Sequence, residues 1–483
     1  MDQAAEVNFI RSAVAAHFTI YDVKVSYEAV EVLVTPDQSR LESEFEALRK
    51  DLYAKGYIPI LDYSGGEYAI TVVRKPPTAK RRHWINLIFL VATAVTTVYT
   101  GALLWASYVG STEVLTLENI LLGGLSFALP LMTILGVHEL SHYFMSKKHG
   151  VDASLPYFIP AWPPIGTFGA FISMRDPMPS KKALVDIGVA GPLGGLLVSI
   201  PVAIIGLWLN AGATPQADIV PAGQLAINTP FLFEFFLYLV PIPADVMLHP
   251  TAFAAWVGIF VTAINLLPAG QLDGGHIARG LLGKNARYLS FATVGVLLLL
   301  GVMFYAGWLL FAFLILILGL NHPAPLNDVS KIDTKRIVVG AVAVMVLFGS
   351  FVFVPLYQIP YVDTFDMNVQ GSNETTTVAG GQAVFFVMIN NTGTMNITAQ
   401  LDVQNLPAGW SAILYEANGS SAGATNSLMI TVPYAQNSTV AMDVFVPLGE
   451  PPSSRVLVLK GTTSDSKAIE HTVAFQQFTV NIA

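Results

Sequence analysis

The sequence predicts a polytopic α-helical membrane protein of about seven spans, with a small N-terminal α+β cytosolic domain and a C-terminal immunoglobulin-like β-sandwich. Three observations carry this expectation. Of the 483 residues, 53% are hydrophobic and only 12% charged, against roughly a quarter charged in a soluble globular chain. The apolar excess collects between positions 84 and 357 in runs of about twenty residues, long enough to cross a hydrocarbon core about 30 Å thick. Residues 362–483 then change composition, with many Thr, Val and Asn in short alternating runs. The net charge of −8, without a basic stripe, argues against a nucleic-acid partner. The absence of cysteine excludes disulfides, cysteine-ligated zinc and a thiol nucleophile. The opening MDQAAEVNFIRS lacks a basic region followed by an apolar run, so no cleavable signal peptide is expected.

Within residues 1–78, VKVSYEAVEVLVTP (23–36) alternates and is rich in β-branched residues, as a strand or hairpin would be. In 39–56, Leu41, Phe45, Leu48 and Leu52 share one helical face, and Gly56 is placed to stop the helix. Ser64-Gly65-Gly66 between two apolar runs marks a hairpin over 57–75. The membrane domain, 84–357, is expected to span at about 84–108, 120–146, 183–209, 251–270, 286–304, 306–321 and 336–357. The stretch 228–243, short and flanked by prolines, reads as interfacial or re-entrant.

Basic residues cluster at alternate loops: Lys80, Arg81 and Arg82; Lys147 and Lys148; Arg175, Lys181 and Lys182; Arg279, Lys284 and Arg287; Lys331, Lys335 and Arg336. Loops 110–119 and 210–250 hold no Lys or Arg. The positive-inside rule therefore predicts a multi-pass cell-membrane protein with a cytoplasmic N-terminus and an extracytoplasmic C-terminal domain. In 362–483, turn signals separate the alternating runs, a pattern suited to a seven-strand sandwich. The sequons at Asn373, Asn390, Asn396, Asn418 and Asn437 all fall in this region, where export would open them to N-glycans.

The chemistry is concentrated in HELSH (138–142) near the end of the second expected span. His138 and His142, four residues apart, lie on one helical face and can ligate one metal ion, and Glu139 is placed as a base for water. Ionisable groups within an apolar span are costly, so a functional role is the default reading. Counting back from Lys147 puts the site on the order of 10–15 Å below the surface. Catalytic zinc normally takes three protein ligands plus water. NLLPAGQLDGGH (265–276), at the end of the fourth expected span, supplies Asp273 beside a Pro-Ala-Gly break. Alone, Asp273 fits a helix N-cap as well as a ligand; opposite HELSH it reads as the third ligand. His149, His249, His276 and His322 read as structural or interfacial, and IGTFGAFISM within 154–177 as a strand pair or an amphipathic loop.

HELSH in an apolar span, NLLPAGQLDGGH over a hundred residues later, and VAGPLGG (189–195) together resemble the site-2 protease family of intramembrane zinc metalloproteases, over about residues 84–325. The resemblance implies one zinc ion per chain held by His138, His142 and Asp273, with Glu139 as general base and Asn265 near the scissile peptide. It also implies a core of the second, third and fourth spans and an extended substrate held on a strand within 154–177. Transmembrane protein or peptide segments would be the substrates. Residues 196–250 are too short and too apolar for the PDZ domain many members carry, so the chain resembles the PDZ-less archaeal and plastid branch. A metal transporter would need further acids or histidines along a path through the outer halves of the spans, and none is evident there. A non-cleaving scaffold would have no need of Glu139.

Overall fold

The structure, a computed structural model, describes residues 3–26, 29–76, 83–211, 223, 225–242, 247–417 and 424–483; Lys80, Arg81, Arg82 and Asn418 lie outside the described residues. Contacts divide the chain into two compact units, the first running to Pro355 apart from short insertions and the second dominated by Leu356–Ala483.

The first unit opens with α1 (Gln3–Ala15), then β1 (Thr19–Val25), β2 (Ala29–Thr35), α2 (Leu41–Ala54), β3 (Tyr57–Ser64) and β4 (Glu67–Arg74). The strands form one antiparallel sheet in the order β1-β2-β4-β3. The apolar stripe of α2 packs on it as its spacing requires: Leu41, Phe45, Leu48 and Leu52 are all buried. Gly56 (φ 85°) ends α2, and Gly65 and Gly66 (φ 63° and 91°) close the β3–β4 hairpin, conformations that cost a side chain dearly. Helix α1 was not foreseen; Ile10 and Val14 bury it against the same core. Beyond the edge of β3 the chain adds one more contact, the Leu61 N–H donating to the Leu326 carbonyl.

Next come α3 (His83–Val109), α4 (Leu117–Gly123) running through a π turn (Gly124–Ala128) into α5 (Leu129–Lys148), and, after a loop, α6 (Lys181–Ala211). Then follow α7 (Phe231–Leu239), α8 (Pro250–Asn265), α9 (Asp273–Leu282), α10 (Ala286–Met303), α11 (Gly307–Leu318) and α12 (Thr334–Ser350). Four continuous helices among the described residues are long and apolar enough to cross a membrane: His83–Val109, Leu117–Lys148, Lys181–Asn210 and Asp273–Met303. The first three coincide with expected spans. The fourth differs, because the helix expected over 251–270 stops at Asn265, and a long helix begins instead at Asp273. Pro268 and Gly270 (φ 53°) account for the stop, since neither suits a helix interior. Helices α8 and α11, of 16 and 12 residues, are apolar but shorter than the roughly 20 residues of a typical crossing. Helix α7 has nine residues, a rise of only about 13 Å. Helices α3 and α4 touch at Gly101 and Gly123, where a Cβ on either would come within 2.3 Å of the other's backbone.

The second unit is β-rich. One five-stranded sheet runs in the order Phe365–Gln370, Gln382–Asn391, Asn437–Phe445, Ser411–Glu416, Ala424–Thr425. The other runs Glu374–Thr377, Val473–Ile482, Ser453–Thr462, Ile397–Gln404, Ser427–Val432. Phe385, Val387, Leu414 and Met442 of the first meet Leu401, Ile430, Leu457 and Phe478 of the second in one core. Among the described residues the two sheets hold ten strands where seven were expected, the short Glu374–Thr377 and Ala424–Thr425 among them.

Candidate metal centre

Helix α5 carries His138, Glu139 and His142 inside the protein, with 4–5% of each exposed. Such burial of polar groups is possible only if each finds a partner. The Nε2 atoms of His138 and His142 lie 3.2 Å apart. The Asp273 Oδ2 lies 3.1 Å from His142 Nε2 and 3.3 Å from His138 Nε2, although 131 residues separate Asp273 from His142. The His142 Nδ1 is 2.8 Å from the Ile187 carbonyl oxygen of α6. That contact needs the ring proton on Nδ1, which leaves the Nε2 lone pair directed at the cluster. Three donor atoms spaced by 3.1–3.3 Å are close to the edges of about 3.3–3.4 Å of a tetrahedron with zinc–ligand bonds of about 2.0–2.1 Å. Two imidazoles and a carboxylate are also a donor set that zinc favours, and these three side chains could hold an ion. The residues present therefore fit the metal.

Asp273 reaches the cluster because the chain breaks between α8 and α9. The N-cap position of α9 is Leu272 and carries no side-chain cap, so Asp273 is the first helical residue and does not cap the helix. The break folds back tightly on α9: a Cβ on Gly274 would lie 2.1 Å from the Leu266 carbonyl oxygen, and one on Gly275 would lie 2.3 Å from that of Gly270. Asn265, the last residue of α8, places its Nδ2 3.3 Å from His138 Nε2. Glu139 Oε1 is 3.9 Å from His138 Nε2, and the Ile172 backbone N–H hydrogen-bonds the carboxylate.

Helix α6 closes the other side with glycines. A Cβ on Gly191 would lie 2.0 Å from His142 Nε2, on Gly194 2.2 Å from Ser141 Oγ, and on Gly195 3.1 Å from His138 Nδ1. Gly188 abuts α9, its Cβ position 3.0 Å from the Asp273 carbonyl oxygen. These glycines thus let α6 seat closely on the two histidines and on the start of α9.

Ile172 follows a two-stranded antiparallel hairpin, β5 (Tyr157–Pro160) and β6 (Thr167–Phe171), within the expected stretch 154–177. Its position is fixed from α3: Asn86 Nδ2 donates to the Leu155 carbonyl (2.8 Å), and Thr96 Oγ1 to that of Gly166 (2.7 Å). Phe168 on β6 is 75% exposed. The other histidines stand apart from the cluster. His149 pairs with Asp186 at 3.0 Å, and His249 packs on Trp105 and Tyr108. His276 and His322 are not isolated, their rings lying 4.4 Å apart in an edge contact. The Ile187 carbonyl escaped sequence reasoning because a backbone oxygen leaves no mark in residue type.

Residues 126–308 match Peptidase family M50. Among curated proteins, "Probable zinc metalloprotease EGY1, chloroplastic" of Oryza sativa subsp. japonica is 33% identical over 226 residues, covering 46% of this chain and 38% of that protein. "Probable zinc metalloprotease EGY2, chloroplastic" of Arabidopsis thaliana is 31% identical over 266 residues, covering 52% and 44%. The chain thus spans less than half the length of these relatives. Among solved structures, the N-terminal domain of PorA has a TM-score of 0.19 at 9% identity over 25% of this chain and 97% of that one, too weak a likeness to carry an argument. The matched segment, residues 126–308, holds HELSH, Asn265 and Asp273 together, and this part of the chain is similar to Peptidase family M50, the site-2 proteases.

Proposed function

We propose that the chain is a zinc metalloprotease that hydrolyses peptide bonds within or beside transmembrane segments of membrane-protein substrates, with one zinc ion per chain on His138, His142 and Asp273. The observation that carries this reading is the convergence of Asp273 Oδ2 on both histidine Nε2 atoms at 3.1–3.3 Å from a distant part of the chain. Zinc held there supplies Lewis-acid polarisation of a scissile carbonyl and lowers the pKa of water toward about 7. Glu139 takes the proton of the attacking water and delivers it to the leaving amine nitrogen as the C–N bond breaks. The Asn265 amide donates to the substrate peptide and holds it in register with Glu139. A free edge of the β5–β6 hairpin pairs with the substrate in extended form, which exposes a carbonyl that a helix would hide. Burial of the histidines and Glu139 keeps bulk water from competing with these contacts.

The reading includes a three-part organisation, with residues 1–78 cytoplasmic, 84–357 in the cell membrane in about seven spans, and 362–483 an exported immunoglobulin-like sandwich. The charge asymmetry of the loops and the shared core of the two β-sheets support it. In that orientation the described sequons face the side where N-glycans are attached.

The test is bound metal per chain, by elemental analysis of detergent-purified wild type, His142→Ala and Asp273→Ala. About one zinc per wild-type chain, lost or weakened in both variants, is expected. A well-folded wild type without metal would overturn the reading and leave the family relationship as ancestry only.

A further inference from the structure

Between α2 and the ends of α5, α6 and α12 lies a cleft of about 700 Å³, and none of the candidate metal-site side chains lines it. Six basic side chains face it: Arg49, Lys50, Lys147, Lys148, Lys182 and Arg336. Among the described residues, two carboxylates, Glu42 and Glu46, share the lining. Some of this charge is already answered. Arg49 donates twice to Glu46 (2.7 and 2.8 Å), and Lys182 pairs with Glu42 at 2.7 Å. Arg336 is held from behind by Asp186 and Asp333. Counting those two acids as well leaves six cations against four anions. The excess is localised: among the described residues neither Lys147 nor Lys148 has a carboxylate within ion-pair distance, and Lys50 reaches only a Glu46 already engaged by Arg49, at 3.7 Å.

The backbone adds to the same field. Helices α2, α6 and α12 all begin at this cleft, with Glu42 and Ser43, Lys182, and Arg336 in their first turns lining it. Helix N-termini carry partial positive charge, although at α12 the Arg336 N–H already donates to Asp333 Oδ1 and at α6 the Ala183 N–H to Ser180 Oγ. Cavities of about 300–1,000 Å³ are the usual size for small-molecule sites. Lysines at the ends of apolar helices also lie where anionic lipid headgroups gather.

We propose that this cleft binds a phosphate-bearing anion, either a soluble phosphate ester or the headgroup of an anionic lipid. The inference is independent of the protease reading. Bound there, the anion ties α2 to the last turn of α5, the helix that carries His138 and His142.

The test uses the full chain in phosphatidylcholine nanodiscs. Pyrophosphate and ATP are titrated by calorimetry, and phosphatidic acid mixed into the discs is followed by native mass spectrometry. The comparison is between Lys147→Gln/Lys148→Gln in the cleft and Lys284→Gln/Arg287→Gln, an equal charge loss on the α9–α10 connection, with thermal unfolding as the folding control. Saturable binding is expected, weakened about tenfold or more by the cleft variant and less than about twofold by the other. Binding of pyrophosphate or ATP identifies a soluble ester, and binding of phosphatidic acid alone a lipid headgroup. No saturable binding of any probe, or equal weakening by both variants, overturns the proposal. Should the double cleft variant fail to fold, Lys50→Gln on the facing wall makes the same comparison.

Discussion

Gly191 has no room for a side chain, since even a methyl group would lie 2.0 Å from His142 Nε2. Gly191→Ala should therefore displace the imidazole and weaken zinc binding by about 10–100-fold, as loss of an orienting contact typically does. A zinc-buffered titration checks this, and unchanged affinity would show that α6 does not seat His142. Glu139 behaves differently, because it neighbours the cluster without being one of its three donors. Glu139→Gln should retain about one zinc per chain while cleavage of a membrane substrate falls by about 10²–10⁴-fold. Full activity in that variant would remove Glu139 from the role of base.

At the scale of elements, the segment after α11 ties the start of the site to the N-terminal sheet. Arg279 of α9 is buried and donates to both carboxylate oxygens of Asp328 (3.0 and 2.7 Å). Next to Asp328, the Leu326 N–H donates to the Met178 carbonyl, and the Leu326 carbonyl accepts from the Leu61 N–H of β3. Truncation of one buried partner strands the other, so Arg279→Ala should destabilise the first unit by about 3–5 kcal/mol. Arg279→Leu with Asp328→Leu should cost less than the single change; thermal unfolding of the variants compares them. The same unit holds a pH-dependent contact outside the spans. The Arg74 guanidinium bonded to Glu6 holds that carboxyl down at about 2. The folded-state value lies below the ordinary carboxylate value of about 4.3, so the contribution is complete above that value and is lost as pH falls toward about 2. The melting-temperature gap between wild type and Glu6→Gln should accordingly close over that interval and stay constant at neutral pH.

At the scale of the whole molecule, the two compact units have separate cores. The first unit contains the candidate metal centre, whereas the β-rich unit closes on Phe385, Leu401, Met442, Leu457 and Phe478 without it. A ligand that binds only the native form of one unit stabilises that unit alone. Calorimetry with and without a chelator should show one unfolding transition moving down while the other stays fixed. A shift of both would mean that the units unfold together.

Much of this was legible in the sequence, for reasons of period and cost. The buried face of α2 follows from the spacing of Leu41, Phe45, Leu48 and Leu52, the hairpin turn from Gly65-Gly66, and the first three long apolar helices from their length and composition. HELSH announced itself because polar groups in an apolar run are too costly to be idle. Sequence could not reach the fourth long helix: Asp273–Met303 contains Arg279, Lys284 and Arg287 near its start, and hydropathy alone divided it there. Helix α1 was missed because its apolar residues are few and the core that buries Ile10 and Val14 comes from later strands. The sequence by itself determined which side chains could ligate a metal, because donor type and i, i+4 spacing are local properties. Only the tertiary structure decided that Asp273 is the first residue of α9 and faces both histidines, because that depends on the turn after Asn265 and on α6 glycines small enough to let the helices close.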